Sequence, residues 1–406
     1  MIKKLIAQMK QLSLEKRHMM TLFWIQTFAS SVTGLFVNVF VFLETESIVS
    51  LILYSMVFHI ALFIGFVGIG YLFSYIQKSL KFAYLDSFGL LFISFVWIAI
   101  ITPSFQNLLI FGLINGIGSG LFWLTNHSYE MIYTKNEDGD RDFYSSIEHA
   151  GSQVVRVLAI VIGTVLIFLA ERVFNVDTFS ILFWFLPLVF MVSLPFLFSL
   201  PDYLPEKVSC KKMFAFLKIK KKQKIALYYI FSNEQVAGIA VTLFSVIALE
   251  SALRIGTWES IVGIIVFITT LALANIRRAT NRLRIMKYAL VGYVIVYSLL
   301  FFSDISVYFY LAFSLLIIFL RPIYRISQHT IDLHSIDLIA GESKKTFSGL
   351  LARDTILVCS RTFNLGIALI LALVLHNNIL TGKILIIFYL VVTIINWFIA
   401  RRMSQN

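Results

Sequence analysis

Residues 201–224 read PDYLPEKVSCKKMFAFLKIKKKQK and separate two long apolar halves of the chain. The segment contains eight lysines and two prolines, so it is unsuited to crossing a bilayer. Apolar runs of about 20 residues, the length that spans a hydrocarbon core, repeat on both sides of it. The sequence therefore predicts an N-terminal six-helix bundle at 1–200, a basic linker at 201–224 and a C-terminal six-helix bundle at 225–406.

The composition excludes several classes of protein. The 406 residues are 59% hydrophobic and 14% charged, whereas a soluble domain is roughly 45–50% apolar and about 25% charged. A soluble enzyme, a disordered chain and a nucleic-acid-binding protein are excluded on this ground. Two cysteines, Cys210 and Cys359, are too few for a disulfide framework or a cysteine metal cluster. We expect no metal, no other cofactor and no nucleic-acid partner.

Twelve apolar segments have the length of transmembrane helices, and they are too long and continuous for the strands of a β-barrel. The first is also too long for a cleaved signal peptide, and no small-residue cleavage site follows it. The expected fold is an all-α membrane protein with twelve transmembrane helices in two six-helix bundles. The predicted spans cover residues 20–43, 50–76, 82–102, 107–132, 145–170, 178–200, 225–249, 257–276, 286–303, 306–328, 347–375 and 379–400.

Basic residues are concentrated in alternate loops. One set of loops, which includes both termini and the linker, carries 26 lysines and arginines, and the opposite set carries only Arg172, Arg254 and Lys383. Because basic loops stay in the cytoplasm, we expect a multi-pass protein of the cell membrane with both termini cytoplasmic. The lysines of the linker favour a solvated segment, although they would also attract anionic lipid head groups.

The two halves share a charge pattern. The fifth span carries Glu148 and Arg156, and the eleventh carries Asp354 and Arg361. Both helices follow a short polar loop on the predicted cytoplasmic side. The spacing is typical of a parallel internal repeat of membrane helices.

The layout resembles the major facilitator superfamily over essentially the whole chain. Residues 70–79, GYLFSYIQKS, are similar to that superfamily's signature between helices 2 and 3, with Ser74 in place of its aspartate and Gln77 in place of its second glycine. Gly116 matches one position of a helix-4 motif whose arginine is absent, and Gly163 stands alone where antiporters have a Gly-Pro motif. Residues 120–123 and 141–144 are similar to poorly characterised bacterial members. The resemblance implies a secondary transporter that works by alternating access.

Charged side chains inside the spans are the first candidate site residues, because a charge at mid-bilayer costs at least about 2.5–3.5 kcal/mol. Counting along the helices places Glu234 near the midplane, and a buried carboxylate can take up a proton. Glu234 is therefore the main proton-coupling candidate, with Glu148 and Asp354 nearer the cytoplasm. Packing ion pairs remain the alternative interpretation for all of these charges.

Candidate substrate-binding residues are the arginines near the midplane and polar or aromatic side chains on helices that line the cavity in the resembled superfamily. Gln26 and Asn38 belong to a stripe with Ser30 and Gly34 at four-residue spacing, one face of a helix. Hydrogen bonding between neighbouring helices explains that stripe equally well. The full set is Gln26, Asn38, Asn115, Trp123, Asn126, Arg156, Asn233, Arg321, Tyr324 and Arg361.

The favoured function is a proton-coupled secondary transporter that moves a small organic solute, anionic or amphipathic, and acts as a monomer among membrane lipids. Three midplane arginines against one acid favour a solute with an anionic group. An efflux pump for amphipathic drugs or lipids, a membrane-embedded enzyme and a non-transporting sensor remain alternatives. Acidic residues gather around the loop that follows residue 130, but they form no recognisable catalytic motif. We therefore expect no enzymatic activity and name no catalytic residue.

Overall fold

The computed structural model is helical along almost all of the chain that it describes, and no strand occurs in that part. Ten helices within it are long and apolar enough to cross a membrane. The described residues are 9, 11–101, 104–133, 138–231, 234–275, 282–302, 305–317, 319–320, 323–324 and 346–404.

The helices are numbered α1 to α12 in chain order, and α7 has two parts. They are α1 Leu14–Thr45, α2 Ile48–Ile76, α3 Leu80–Ile100, α4 Phe105–Tyr133, α5 Asp138–Phe168, α6 Ser180–Phe198, α7a Lys220–Ile230, α7b Gln235–Leu249, α8 Ala252–Asn275, α9 Arg282–Phe302, α10 Val307–Ile317, α11 Thr346–Leu375 and α12 Asn378–Ser404.

Ten of the predicted spans are confirmed as membrane-length apolar helices. Helix α9 overlaps the ninth predicted span but begins before it, at Arg282, and α10 lies within the tenth predicted span. Part of the tenth range, including residues 321–322 and 325–328, lies outside the described residues. The count of twelve spans therefore stays a prediction.

The chain forms two compact units. Unit 1 consists of Met1–Val37 and Ile60–Val208, and unit 2 consists of Asn38–His59 and Ser209–Asn406. The first eight residues of the predicted linker thus belong to unit 1. The hairpin formed by the end of α1 and the start of α2 belongs to unit 2, where Asn378 accepts a hydrogen bond from the Ile48 amide and donates one to the Glu46 carbonyl.

Glycines set the close packing of α2 against α4 in unit 1. A Cβ atom on Gly65 would clash with the Ile117 carbonyl oxygen, and one on Gly120 would clash with the Leu62 carbonyl oxygen. The two backbones therefore approach each other directly, as small residues permit in membrane helices. The contact on α2 lies at a π-helical turn, Ile64–Ile69, a distortion that frequently occurs at functional sites.

A second π-helical turn, Thr33–Val37, interrupts α1. A π turn adds a residue to the helical repeat, so the four-residue spacing of the stripe from Gln26 to Asn38 does not continue along one face. Gln26 is buried in unit 1, and Asn38 begins the segment that belongs to unit 2.

Candidate functional site

Unit 1 contains a buried carboxylate. The Glu148 side chain on α5 is 4% exposed, forms a side-chain hydrogen bond with Asn126 of α4 and lies within electrostatic range of the Glu130 carboxylate. Its Oε1 atom is buried and has no hydrogen-bond partner among the described residues. Glu130, Glu148, Asn126 and His127 are called the acidic cluster below.

Aromatic side chains surround the acidic cluster. Tyr84 of α3 donates a hydrogen bond from its hydroxyl to the Asn126 Oδ1 atom at 3.0 Å. Tyr84 and Tyr144 both interact electrostatically with Glu148. The Tyr144 hydroxyl is fully buried and, within the described part of the chain, has no hydrogen-bond partner. Two buried acceptors with open hydrogen-bonding capacity, Glu148 Oε1 and the Tyr144 hydroxyl oxygen, thus lie in one cluster.

A glycine and a tryptophan position α5. The Trp24 indole N–H donates to the Glu148 carbonyl oxygen at 3.3 Å. A Cβ atom on Gly151 would clash with the same indole ring. Because residue 151 has no side chain, α1 packs through Trp24 directly onto the turn of α5 that carries Glu148. This contact fixes the backbone of the buried carboxylate.

One face of α4 carries side chains that are more exposed than Glu148. The His127 Nδ1 atom lies 3.5 Å from the Glu130 Oε2 atom, and these two side chains are 25% and 16% exposed. The His127 ring stacks on Trp123 with 5.4 Å between ring centroids. Residues 123, 127 and 130 are four and three positions apart, which places them on one face of the helix. This face forms the more accessible side of the cluster.

Unit 2 contains a cluster of mixed charge. Arg361 on α11 lies within electrostatic range of Asp354, Arg353 and Glu234, and His59 lies within range of Arg361. The Arg353 Nη2 atom is 3.3 Å from the Asp354 Oδ2 atom. The Arg361 Nε atom is buried and has no hydrogen-bond partner among the described residues. These five residues are called the charged cluster below.

The seventh helix is discontinuous beside the charged cluster. Helix α7a ends at Ile230, α7b begins at Gln235, and Glu234 directly precedes α7b. The end of a helix leaves carbonyl groups without intrahelical partners, which is costly in a membrane. Asn396 of α12 donates to the Tyr228 carbonyl at 2.8 Å, and Ser360 of α11 donates to the Ile230 carbonyl at 2.5 Å. Two neighbouring helices thus stabilise the break.

A group of buried tyrosines lies near Glu234. Tyr389 of α12 interacts electrostatically with Glu234, and its ring packs on Tyr297 with centroids 5.8 Å apart. Tyr293 packs on Tyr324, with centroids 5.5 Å apart. Each unit therefore combines a carboxylate with buried tyrosines. The sequence interpretation singled out Tyr324 but not Tyr293, Tyr297 or Tyr389, although the four-residue spacing of Tyr293 and Tyr297 places them on one face of α9.

The signature-like loop between α2 and α3 binds the start of the linker. The Ser74 hydroxyl donates to the Glu206 carbonyl at 2.6 Å and accepts from the Val208 amide at 2.8 Å. The Gln77 side-chain amide donates to the Pro205 carbonyl at 3.1 Å. The Leu80 amide donates to the Tyr203 carbonyl, also a backbone contact. These bonds, which we call the linker clasp, involve both positions at which the chain departs from the superfamily signature.

The structure brings some of the predicted site residues together. Asn126 contacts Glu148, Trp123 stacks on His127, and Glu234, Asp354 and Arg361 lie in one cluster. Tyr324 lies in the tyrosine group of unit 2.

Other predicted residues lie elsewhere. Asn115 donates to the Ser94 hydroxyl at 3.0 Å, a contact between α4 and α3. Arg156 is exposed on α5, two turns beyond Glu148. Asn233 and Arg321 lie outside the described residues. In the described ranges no group of three or more His, Cys, Asp or Glu side chains is arranged to hold a metal ion.

Neither a protein-family sequence model nor a curated protein sequence matches the chain. Solved structures do match in fold. The nucleoside transporter NupG aligns with a TM-score of 0.66 at 11% identity, over 97% of this chain and 100% of that one. A proton-dependent oligopeptide transporter aligns with a TM-score of 0.65 at 10% identity, over 96% of this chain and 99% of that one.

A third similar structure is a bacterial homologue of the lysosomal transporter Spinster, in an inward-facing and occupied conformation. It aligns with a TM-score of 0.62 at 12% identity, over 96% of both chains. All three are transporters of the major facilitator type. The alignments extend over nearly the whole chain, so this multi-pass membrane protein shares the fold of these three transporters.

Proposed function

We propose that the protein is a secondary active transporter that moves a small organic solute by alternating access and couples this movement to protons. The fold shared with nucleoside, oligopeptide and Spinster-type transporters supports a transport role. We further propose that it acts as a monomer in the cell membrane with cytoplasmic termini, as the distribution of basic loops favours.

The environment of Glu148 is the observation that supports proton coupling. The Glu148 carboxylate is buried, its Oε1 atom has no hydrogen-bond partner among the described residues, and a second carboxylate, that of Glu130, acts on it electrostatically. Two ionised carboxylates in an apolar, aromatic environment repel each other and lack hydration. One proton bound at the pair removes the repulsion between two negative charges and leaves only one ionised carboxylate to be stabilised. A site that gains and loses this proton as its exposure changes can couple transport to a proton gradient.

Glu234 and Asp354 are the second proton-binding candidates. Both lie near the Arg361 guanidinium, which favours their ionised forms. This arrangement differs from that of Glu148, whose electrostatic neighbours among the described residues include no lysine or arginine. We therefore assign the main coupling role to Glu148 and place Glu234 in the binding of solute through Arg361.

An anionic group of the solute fits the charged cluster. Arg361 has a buried Nε atom with open donor capacity, and guanidinium groups bind carboxylates and phosphates through paired hydrogen bonds. Arg156, which is exposed on α5 of unit 1, is a separate candidate for the same chemistry. Each of the two arginines favours a solute that carries a carboxylate or phosphate.

Transport by reconstituted protein tests the proposed function. Proteoliposomes that contain a trapped pH-sensitive dye are exposed to a panel of candidate solutes, and solute-dependent proton flux is followed with and without an imposed pH gradient. We expect flux with at least one solute, and we expect Glu148→Gln to abolish its coupling to protons.

Glu171→Gln is the matched control, because Glu171 lies in the π-helical turn Leu169–Phe174 that directly follows α5, and its Oε1 atom accepts a hydrogen bond from Thr178 that glutamine can also accept. Its flux should resemble that of the unchanged protein. Proton-coupled transport that survives Glu148→Gln contradicts the assignment of Glu148, and the absence of solute-dependent flux across the panel contradicts the transport function.

A further inference from the structure

Residues 209–224, called the basic segment below, form a folded part of unit 2. They comprise a helical turn at Cys210–Met213, a 3₁₀ turn at Ala215–Lys218 and the start of α7a. The Gln223 side-chain amide donates to the Leu217 carbonyl oxygen at 2.9 Å and joins the 3₁₀ turn to α7a. The backbone that carries the lysines therefore has a defined position in the fold, which a solvated linker would lack.

The exposed side of the basic segment carries lysines and an apolar residue. Lys211 and Lys218 are exposed, and Ile219 is 49% exposed. Met213 is buried, and its helical turn packs against α11. A surface that combines positive charge with an exposed aliphatic side chain is typical of segments that lie at a membrane surface.

The charged side chains of the basic segment are all positive. Seven lysines and no aspartate or glutamate lie in this range. Four of the lysines, residues 220–222 and 224, lie at the start of α7a, where the helix dipole also disfavours positive charge. The repulsion among the lysines and the dipole both destabilise the start of α7a. A negatively charged surface offsets both effects.

The basic segment lies beside a membrane-length helix. The apolar span runs from Gln223 to Leu249, so Lys220 lies about 5 Å before its start along the helix axis. Clusters of about four to eight basic residues directly next to a span are typical of binding sites for anionic lipid head groups. Phospholipid head groups lie at the depth at which such a span begins.

We propose that the basic segment binds anionic phospholipids of the leaflet on its side of the membrane, and that this binding stabilises α7a. Helix α7a has 11 residues, a length at which an isolated helix is marginally stable. Ser360 and Asn396 bond carbonyl groups near its C-terminal end. Lipid phosphates at its N-terminal lysines hold the opposite end, so both ends of this half of the seventh helix are fixed. The proposal goes beyond the transport function and does not depend on the identity of the solute.

Lipid-dependent thermal stability of the purified full-length protein in detergent tests the proposal. Dioctanoyl phosphatidylglycerol is compared with dioctanoyl phosphatidylcholine, which has the same chains and no net charge, and with glycerol 3-phosphate, which has an anionic group and no chains. A ligand that binds the native state raises the apparent melting temperature. We expect phosphatidylglycerol to raise the melting temperature most. Its advantage over phosphatidylcholine should shrink at high salt, because the Debye length falls to about 3 Å in 1 M salt.

Paired substitutions assign the effect to the basic segment. Lys211→Gln combined with Lys218→Gln should raise the phosphatidylglycerol concentration that gives half of the stabilisation, by roughly fivefold per lysine. The other lysines of the segment remain to set the orientation. Lys211→Arg combined with Lys218→Arg keeps both charges and should respond as the unchanged protein does. Arg172→Gln combined with Arg254→Gln removes the same charge from positions assigned to the opposite face of the membrane and should leave the response unchanged.

Hydrogen exchange locates the bound lipid. The backbone amides of residues 210–230 should exchange more slowly in phosphatidylglycerol than in phosphatidylcholine, because the lipid stabilises this region against local opening. Amides next to Arg172 provide the internal reference and should exchange equally in both lipids.

The outcomes decide between lipid binding at this segment and its alternatives. Equal stabilisation by the two phospholipids, or an unchanged response in the paired glutamine variant, would overturn the proposal. Equal stabilisation by glycerol 3-phosphate would show that the segment binds soluble anions and does not recognise lipid. Slower exchange only outside residues 210–230 would place the lipid on another surface, and the proposal would again fail. None of these measurements requires solute flux, so such a failure leaves the proposed transport function standing.

Discussion

The side-chain amide of Gln77 donates a hydrogen bond to the carbonyl oxygen of Pro205 across 128 positions of sequence. The same amide nitrogen also donates to the Ser74 carbonyl at 2.6 Å. Gln77 ends the second helix in the left-handed conformation, with φ 54° and ψ 44°. Glycine adopts this conformation without steric cost. Gln77 adopts it at a steric cost, but its side chain forms two hydrogen bonds, one of which holds the linker.

The linker clasp predicts that two substitutions of Gln77 have the same effect on the linker but different effects on stability. Gln77→Gly removes both side-chain bonds but relieves the left-handed backbone, whereas Gln77→Ala removes the bonds and keeps a left-handed cost of about 1–2 kcal/mol. We expect both variants to expose the linker to trypsin at Lys207 and Lys211, and only the alanine variant to lower the melting temperature clearly. Equal trypsin sensitivity in the variants and the unchanged protein would contradict a role of Gln77 in holding the linker.

Close packing of α2 and α4 predicts a strong effect of one methyl group. In Gly120→Ala the new Cβ atom would meet backbone atoms of Leu62 and Phe66, which cannot move aside as a side chain can. We expect a loss of about 1–3 kcal/mol of stability, as in overpacked interiors. Gly68→Ala on α2 is the control, since open space surrounds its Cβ position. Thermal unfolding in detergent measures the stability of both variants. Similar melting temperatures for the two variants would contradict a stabilising close contact between α2 and α4 at Gly120.

The break in the seventh helix predicts that Asn396 is a structural residue. Asn396→Leu leaves the Tyr228 carbonyl buried without its donor, and an unsatisfied buried group costs about 1–3 kcal/mol. Thr393→Val is the matched control one turn earlier on α12, because its hydroxyl bonds only to its own helix at the Tyr389 carbonyl. We expect the melting temperature to fall in Asn396→Leu and to change little in Thr393→Val. The reverse order would remove Asn396 from the stabilisation of the break.

The unequal distribution of basic residues between the two sets of loops predicts the orientation of the protein in the membrane. In a Cys359→Ser background, a membrane-impermeant maleimide should label Arg254→Cys in intact cells, while the native Cys210 should react only after lysis. Cys210 belongs to the linker and Arg254 to the first turn of α8, and the charge distribution assigns these two positions to opposite faces of the membrane. External labelling of Cys210 would invert the topology.

The spans were predictable because each needs about 20 apolar residues, and ten of the apolar runs form such helices. The break in the seventh helix could not be predicted, since one continuous apolar stretch covers both of its parts. The polar residues Ser232 to Gln235 are the only signal there. The π turns of α1 and α2 leave no signal in hydropathy, so they could not be predicted from the sequence.

The candidate site was predictable in its charges but not in its pairings. Glu148, Asp354 and Arg361 stand out because charge inside a span is costly. Which tyrosines surround Glu148, and that its neighbour is Glu130, depend on how three helices pack at side-chain level. Ser74 and Gln77 show the same limit, because the departures from the signature were visible in the sequence, whereas their contact with residues 205–208 depends on the path of the linker.

Arg361 gives the last prediction. Its guanidinium interacts with Asp354 and Glu234 and keeps a buried donor without a partner among the described residues. Arg361→Gln should weaken the binding of solutes that carry a carboxylate or phosphate by roughly 10- to 100-fold, the effect of losing a charge-assisted hydrogen bond.

Arg361→Lys retains the charge but not the planar pair of donors, so it should weaken binding less than Arg361→Gln. Arg254→Gln is the control, because Arg254 forms an exposed pair with Glu250 and contributes little to stability. Binding is measured by the solute-dependent shift in melting temperature, with the neutral amide of each solute as the reference ligand. If Arg361→Gln weakens the neutral amide as much as the acid, Arg361 acts through helix packing and does not bind the anionic group.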